Sequence, residues 1–304
     1  MQARERIYMI CIGIDVAKNK HDCCIINGEG KVLTEKMTIQ NNGEGFMELY
    51  SKIKSYIEAG EKVKVGLEAT GHYTNNLLYF LFKKGLLVYL INPLQTDRYR
   101  KATSLRKTKT DKIDAYNIAL LLISSIPLKP YTEKLYQIEE LKQLTRSRFC
   151  LIHDRSRYKV KLVKLVDIVF PELNQIFKSI HTKSIYALLS KYQSAKTIAG
   201  QDMETIITLL GETSRGRMRC EKRELLYNEA KNSIGSPTSA TELEIKQTLA
   251  TLDLFDEQVK EIDDKIKEVY KSTDTHLESI PGIGINNAAI IISAIGEFNN
   301  FSYA

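Results

Sequence analysis

Residues 66–122 read GLEATGHYTNNLLYFLFKKGLLVYLINPLQTDRYRKATSLRKTKTDKIDAYNIALLL, and the rest of the chain is organised around them. Two short apolar runs flank a segment of helical periodicity, which predicts strand, helix and strand in turn. Glu68 closes the first of these runs, and an acidic pair, Asp111 and Asp114, follows a dense basic segment. Acids that follow a buried strand and a basic segment predict a metal-dependent, nuclease-type site.

The residues before this stretch predict three more strands and a helix. Apolar or alternating runs at 8–15, 21–28 and 31–40 are typical of strands, and a periodic segment ends at Gly60. Three strands followed by helix, strand, helix and strand describe a mixed α/β sheet. The first run ends at Asp15, so a third acid follows a buried strand.

The residues after Pro130 predict a largely helical region. Residues 131–170 carry apolar side chains in alternating steps of three and four, interrupted by Arg148 and Arg155. That pattern predicts a coiled-coil-like seam in which the two arginines set the register. A second heptad run at 252–269 could pair with the first helix or across a dimer, and the sequence does not choose between them.

The last residues, 276–304, predict a helix, a tight turn and a second helix. The turn contains Gly282 and Gly284, whose backbone N–H groups at a helix N-terminus could bind a phosphate. A tight turn without any binding role is the alternative interpretation of the same residues. The chain ends at Ala304 soon after this pattern begins, so we expect the segment to be a truncated domain.

Composition excludes several classes of protein. The 304 residues hold 44 Lys and Arg against 37 Asp and Glu, a net charge of +7 that mildly favours a polyanionic partner. The five cysteines are odd in number and lack metal-ligand spacing, which argues against a disulfide framework or a zinc site. Neither a signal peptide nor a membrane span is evident, so a cytoplasmic protein without a membrane partner is expected.

The four acids are the candidate catalytic residues. Asp111 and Asp114 stand at i and i+3, which places both carboxylates on one face of a helix. Carboxylates crowded together with Asp15 and Glu68 would raise one another's pKa unless cations neutralised them. Oxygen ligands of this kind suit Mg²⁺ or Mn²⁺, and a pair of such ions can catalyse phosphodiester chemistry.

The basic segment before the acidic pair is a candidate nucleic-acid contact. Arginine, lysine and hydroxyl groups at this density are the groups that contact phosphates, while a solvated loop is the alternative. The basic residues are Arg98, Arg100, Lys101, Arg106, Lys107, Lys109 and Lys112.

Three acidic motifs give the chain a resemblance to a known family. GIDVAKNKHDCCI, VGLEATGHY and INPLQTDRYRKATSLRKTKTDKIDA, with the Arg-rich LKQLTRSRFCLIHDRSRYK and the terminal LESIPGIGINNAAIIISAIG, resemble the RuvC-like DEDD transposases of bacterial insertion sequences. That family includes Piv-like DNA invertases and bridge-RNA-guided recombinases. The resemblance implies an RNase H-like (RuvC-like) catalytic domain at 1–128, a helical coiled-coil region at 129–275 and a second transposase domain of helix-hairpin-helix type from 276.

The resemblance also implies a mechanism and partners. Mg²⁺ (or Mn²⁺) would be held by Asp15, Glu68, Asp111 and Asp114 in a nucleoid-associated bacterial enzyme. Donor and target DNA, a structured guide RNA and a homo-oligomer (dimer or tetramer) are expected. Arg148 and Arg155 of the Arg-rich helix join the nucleic-acid contacts. A nucleophilic serine is expected beyond residue 304, so these residues alone are predicted to be inactive in recombination.

Three other functions fit parts of the pattern. A RuvC-like nuclease or junction resolvase would need only the four acids and would form no covalent protein–DNA intermediate. A non-catalytic nucleic-acid-binding remnant would bind without metal-dependent chemistry. A sugar-kinase-like or actin-like ATPase fits GIDVA at 13–17, but the chain lacks a glycine-rich adenosine loop and carries the basic segment instead.

Overall fold

A computed structural model describes residues 9–69, 71–103 and 111–296. The chain divides into two compact units, Met1–Tyr136 and Gln137–Ala304. The division into three parts, with boundaries after residues 128 and 275, stays a prediction.

The first unit is a mixed α/β domain, as the sequence predicts. Its strands and helices alternate after an initial run of three strands. In chain order they are β1 (Met9–Val16), β2 (Lys20–Asn27), β3 (Val32–Gln40), α1 (Gly43–Glu58), β4 (Lys62–Glu68), α2 (Thr74–Lys83), β5 (Leu87–Ile91), α3 (Pro93–Thr103) and α4 (Asp111–Ile123).

The sheet places β1 at its centre, in the order β3-β2-β1-β4-β5. β1 pairs antiparallel with β2 and parallel with β4, and β5 runs parallel to β4. The carboxyl ends of β1, β4 and β5 therefore meet at one edge of the sheet. This is the edge at which open α/β sheets place their binding crevices.

Side-chain alternation along the strands gives the sheet two apolar faces. Ile10, Ile12 and Ile14 of β1 pack in a core with apolar residues of α1 and α2. Met9 and Cys11 point to the opposite face and pack with apolar residues of α4. The helix that carries the acidic pair thus covers the face shared by the odd-numbered positions of β1.

The second unit is helical throughout the part that the structure describes. Along the chain, a long helix is followed by five shorter helices, a second long helix and one more short helix. They are α5 (Glu133–Val169), whose first residues belong to the first unit, α6 (Leu173–Ile176), α7 (Lys183–Lys191), α8 (Ala195–Ala199), α9 (Met203–Thr213), α10 (Cys220–Lys231), α11 (Ser239–Ser272) and α12 (Ile285–Ile295).

The two long helices, α5 and α11, pack antiparallel within one chain. Tyr158 meets Phe255 edge to face with ring centroids 5.5 Å apart. A large hydrophobic core contains residues from the end of α5 and from each of the helices α7 to α11. A smaller core contains Ile138 and Leu141 of α5, residues from the end of α11, and residues of α12. The two helices thus contact each other within the chain, and pairing across a dimer stays open.

Two segments differ from their predictions. The basic segment begins in a helix, α3, rather than in a loop. Before the Pro-Gly-Ile-Gly turn, the predicted helix is a single 3₁₀ turn at Leu277–Ser279. Few residues separate Ser272, where α11 ends, from Pro281. So short a segment cannot offset the cost of helix nucleation, and a proline disfavours helical backbone in the residue before it.

The described cysteines are all free thiols. Burial raises the pKa of Cys11 to about 12 and of Cys24 to about 11, so these thiols behave as small apolar side chains. Among the helices that the structure describes, none combines the length and apolar composition that crossing a bilayer requires.

Candidate active site

Asp15 and Glu68 lie side by side at the carboxyl edge of the sheet. Ile14 of β1 is aligned with Leu67 of β4 in the parallel register, so the next residues of the two strands are neighbours. Adjacent strands are about 5 Å apart. Both acids follow a residue of the α1–α2 core, so alternation directs them to the face covered by α4. The sequence predicted each strand end, and the register brings the two together.

Helix α4 lies directly on the backbone of these strands because two glycines make room for it. A Cβ on Gly13 would stand 2.1 Å from the carbonyl oxygen of Ala115 and 2.4 Å from the backbone nitrogen of Ala119. A Cβ on Gly66 would stand 3.0 Å from the side chain of Ile118. This close approach holds Asp114, the residue before Ala115, near the ends of β1 and β4.

Glu68 and Asp114 line one cleft of about 310 Å³. The hydroxyl of Thr96 lies 3.0 Å from Oε1 of Glu68 and 2.9 Å from the carbonyl oxygen of Pro93. A hydroxyl has one proton, so these two acceptors share it. Thr96 therefore restrains one oxygen of Glu68. The remaining lining residues are Leu94, Asp97, Arg100 and Asn117.

Asn117 lines this cleft and carries a buried amide donor. It follows Asp114 by three residues, so the two side chains share a face of α4. The residue is only 7 % exposed, and its buried Nδ2 has no hydrogen-bond partner among the residues that the structure describes. A buried polar group in this state costs free energy, so it commonly marks a place where a ligand or water completes the hydrogen bonding.

Asp22 is a further carboxylate at this edge, which the sequence reading did not single out. It is the direct cross-strand partner of Asp15 and is 4 % exposed. Thr38 donates a hydrogen bond of 2.5 Å to its Oδ1, and Nζ of Lys36 lies 3.7 Å from the same oxygen. A charged residue in the interior of an apolar strand was the available signal. Its partners on β3 offset the repulsion between two opposed acids.

The four predicted acids are not all described to the same extent. Asp111 begins α4, but its side chain lies outside the described residues. Among the side chains that the structure describes, no group of three His, Cys, Asp or Glu residues is compact enough to hold a metal ion. The donor chemistry at the edge fits Mg²⁺ or Mn²⁺, because Asp15, Glu68 and Asp114 are all carboxylates and hard cations prefer oxygen.

The predicted basic segment is divided by the structure. Arg100 and Lys101 lie on α3 and both pair with Asp97, at 2.6 Å in each case. Hydrogen bonds from Lys101 and Arg100 lower the pKa of Asp97. Arg98 is exposed on the same helix. Arg106, Lys107, Lys109 and the side chain of Lys112 lie outside the described residues.

Arg148 and Arg155 form ion pairs inside the second unit. Arg148 Nε donates to Asp263 at 2.5 Å, and Arg155 Nη1 donates to Asp256 at 2.5 Å. Both pairs connect α5 to α11. The register-setting role predicted for these arginines accords with this placement. Their nucleic-acid contact stays a prediction.

Gly282 and Gly284 form the turn before α12. Gly282 has a φ of +90°, which favours glycine, and Gly284 is the N-cap of α12. A glycine N-cap has no side chain to bind the first backbone N–H groups of its helix. Phosphate contact by these groups stays a prediction. Ser293 of α12 is buried, and its hydroxyl donates to the carbonyl of Ile290.

Comparison with known proteins places this arrangement in a family context. Residues 12–171 match the model of the IS110-type DEDD transposases. The chain is 23% identical over 303 residues to the IS116 insertion-element protein of Streptomyces clavuligerus, a match that covers 97% of this chain and 73% of the relative.

Two further similarities are more restricted. The pilin gene-inverting protein of Moraxella bovis is 37% identical over 108 residues, which is 36% of this chain and 32% of that protein. Among solved structures, Thermus thermophilus RuvC in complex with a Holliday junction substrate covers 40% of this chain and 99% of that chain, at 15% identity and a TM-score of 0.30. This structural likeness is too distant to indicate function.

Proposed function

Because the chain belongs to the IS110-type DEDD transposase family, we propose that it cuts and rejoins DNA as the recombinase of an insertion sequence. One observation carries the proposal. The parallel register of β1 and β4 aligns Asp15 with Glu68 beneath the helix that bears Asp114. Three acids from distant parts of the sequence thereby share one edge of the mixed sheet.

We further propose that Asp15, Glu68, Asp111 and Asp114 hold Mg²⁺ or Mn²⁺. Cations held there would supply activation of the attacking oxygen and stabilisation of the leaving oxygen of a phosphodiester. Thr96 keeps one oxygen of Glu68 in place through its hydroxyl. The buried Nδ2 of Asn117 is proposed to donate to a neighbouring carboxylate of the site.

The proposed partners follow from the family. The named relatives are an insertion-element protein and a gene-inverting protein, which supports DNA as the substrate. A structured guide RNA, a homo-oligomer and a coiled-coil arm formed by α5 and α11 are further proposals. Sequencing of RNA that copurifies with the protein tests the guide. The mass of the complex in solution tests oligomerisation.

Asp114→Asn tests the active site. The change removes one negative charge and keeps the shape of the side chain. We expect metal-dependent DNA cleavage to be lost and Mn²⁺ affinity, followed by electron paramagnetic resonance, to fall, while DNA binding without metal is retained.

Glu44→Gln is the matched control, because Glu44 is an exposed carboxylate in the first turn of α1. It should leave both cleavage and Mn²⁺ binding unchanged. Unchanged Mn²⁺ affinity and unchanged cleavage in Asp114→Asn would overturn the metal assignment.

A further inference from the structure

The second unit contains a large basic cleft that the proposed catalytic site does not use. Its volume is about 880 Å³. Five cations and a single carboxylate line it. We call it the basic cleft; its charged residues are Lys183, Arg215, Arg217, Arg219, Lys222 and Glu221, and its other residues are Phe177, Thr182, Ser184, Thr213, Ser214 and Met218.

Three of the cations come from one short loop between α9 and α10. The loop reads SRGRMR, and its arginines alternate with other residues and are all exposed. Arg215 and Gly216 have φ values of +51° and +70°, which reverse the chain tightly. The loop therefore presents three guanidinium groups along one side of the cleft.

Internal hydrogen bonds hold this loop in shape. The backbone nitrogen of Gly216 donates to the carbonyl oxygen of Gly211 at 3.0 Å, and the hydroxyl of Ser214 accepts from the backbone nitrogen of Met218 at 3.3 Å. Arg223 donates twice to the carbonyl oxygen of Met218, at 2.6 and 2.8 Å. A loop fixed in this way presents its arginines without ordering them at the moment of binding.

The cations of the cleft are not neutralised within the described protein. Elsewhere in this unit, Arg148, Arg155 and Lys161 each pair with a carboxylate of α11. Among the ion pairs of the described residues, none includes any of the five cations of the cleft. Like charges gathered in one cleft repel one another, so this arrangement adds no stability to the fold. A polyanion would supply the missing counter-charge.

The remaining groups of the cleft also suit phosphate. Nζ of Lys222 lies 4.4 Å from the ring centroid of Phe177, which fixes its position by a cation–π contact. α10 begins at the cleft, and its N-cap, Arg219, makes no side-chain hydrogen bond to the helix. The backbone N–H of Lys222 donates to the carbonyl oxygen of Arg219 at 3.2 Å. The N–H groups of Cys220 and Glu221 are left to a ligand or to water, at the positive end of the helix dipole.

The spread of the cations indicates the kind of ligand. A site for a small molecule buries most of its ligand. Here the three arginines are exposed along the rim of an open cleft, while Lys183 and Lys222 come from two other helices. Charges spaced along a rim match a ligand with several phosphates in a row. Alternating arginines on a fixed loop resemble the phosphate contacts that position nucleic acids.

We propose that the basic cleft binds the phosphodiester backbone of a nucleic acid, independently of the carboxylate site. The proposal rests on the proposed function only in that the protein handles nucleic acid. DNA and RNA share this backbone chemistry, and separate measurements with each polymer distinguish them.

The test replaces Arg215, Arg217 and Arg219 together with Gln, which keeps a polar, unbranched side chain and removes three charges. Affinity for a fluorescent duplex DNA and for a fluorescent RNA is measured by anisotropy over a series of KCl concentrations in EDTA. Each lost phosphate contact lowers the slope of log K against log salt by about 1. We expect the slope to fall by about 2–3 for at least one polymer, and its affinity to fall about tenfold or more.

The matched control removes three charges from exposed positions of α11 in the same unit, by replacing Lys246, Lys260 and Lys271 with Gln. It should change the slope far less than the arginine variant does. Equal slopes in the two variants, for both DNA and RNA, would overturn the proposal.

Lys183→Glu is a second variant that preserves folding. A carboxylate in the first turn of a helix is favoured by the helix dipole, so α7 should be no less stable. Weaker binding is expected here too, and unchanged binding by a folded Lys183→Glu would count against the cleft. The assay contains EDTA and measures binding rather than cleavage, so failure of the catalytic proposal and failure of this one give different results.

Discussion

Gly13→Ala tests whether the close contact between α4 and the sheet builds the active site. The added Cβ would stand 2.1 Å from the carbonyl oxygen of Ala115, whereas real Cβ contacts essentially never fall under 3.0 Å. Both contacted groups are backbone atoms of a helix, so no side chain can rotate away. The helix must retreat from β1 by nearly an ångström, or the strand must bend.

The expected cost has two parts. Overpacking of this kind destabilises a protein by about 1–3 kcal/mol, and a backbone clash belongs at the upper end. That is a large part of a typical stability of about 5–15 kcal/mol. The retreat would also move Asp114 away from the ends of β1 and β4, and a displacement of about 1 Å at a catalytic group can lower the rate about a hundredfold.

Urea unfolding and metal-dependent DNA cleavage measure these two effects. Gly43→Ala is the control, because a Cβ there meets nothing within 4 Å and the residue begins α1. It should leave cleavage unchanged and leave stability equal or slightly higher, since alanine favours helix over glycine. A Gly13→Ala protein with normal stability and normal cleavage would refute the proposed role of this contact.

Three further predictions follow from single contacts. Thr96→Val removes the hydroxyl that restrains Glu68. A hydrogen bond to a charged group contributes about 1.5–3 kcal/mol, so the cleavage rate should fall about tenfold or more, while that of Thr96→Ser stays near normal. Equal cleavage rates in the two variants would contradict the role of the hydroxyl. A double-mutant cycle of Arg148→Ala and Asp263→Ala, followed by chemical unfolding, should give a coupling free energy of about 1 kcal/mol, because the ion pair is partly exposed. If the losses of stability in the two single variants simply add, the ion pair contributes nothing. Burial lowers the pKa of His21 below 6.5, so the unfolded chain binds a proton at higher pH than the folded protein does. The contribution of the neutral imidazole to the free energy of unfolding is therefore complete above pH 6.5 and is lost as the pH falls through the folded pKa. His21→Asn should lose less thermal stability on acidification than the parent protein, and identical pH profiles of the two proteins would exclude the effect.

The strands and long helices could be predicted from the sequence because their patterns are local. Apolar runs place β1, β4 and β5, and heptad spacing places α5 and α11. The helix α3 was missed because its sequence, PLQTDRYRKAT, has no apolar stripe. The sequence nonetheless contained a signal for the start of a helix, an Asn followed by a Pro. In the structure, Oδ1 of Asn92 accepts a hydrogen bond from the backbone N–H of Leu94, and Pro93 is the first helical residue.

The candidate site could be predicted only in part, for a geometric reason. Asp15 and Glu68 follow apolar runs, so their place at strand ends was visible. Their alignment depends on the pairing of two strands that are separated by a hairpin and a helix. The roles of Thr96, Asn117 and Asp22 depend on contacts across the sheet and between α3 and α4. A linear pattern does not contain those contacts.

The basic cleft could not be inferred from the sequence for a similar reason. SRGRMR at 214–219 is recognisable as a basic loop, but such a loop is more often a solvated surface. The cleft arises because Phe177, Lys183 and Lys222 come from three other places in the chain. Which helices would surround the loop depends on tertiary packing.

The length of α5 turns the second unit into a molecular ruler. Leu141 belongs to the core that anchors α12 and its glycine turn, and Val166 belongs to the core beneath the basic cleft. At 1.5 Å per residue, the helix between these two positions measures about 38 Å. One turn of duplex DNA measures about 35 Å. If the glycine turn binds phosphate as predicted and the basic cleft does so as proposed, a single duplex of about one turn could contact both.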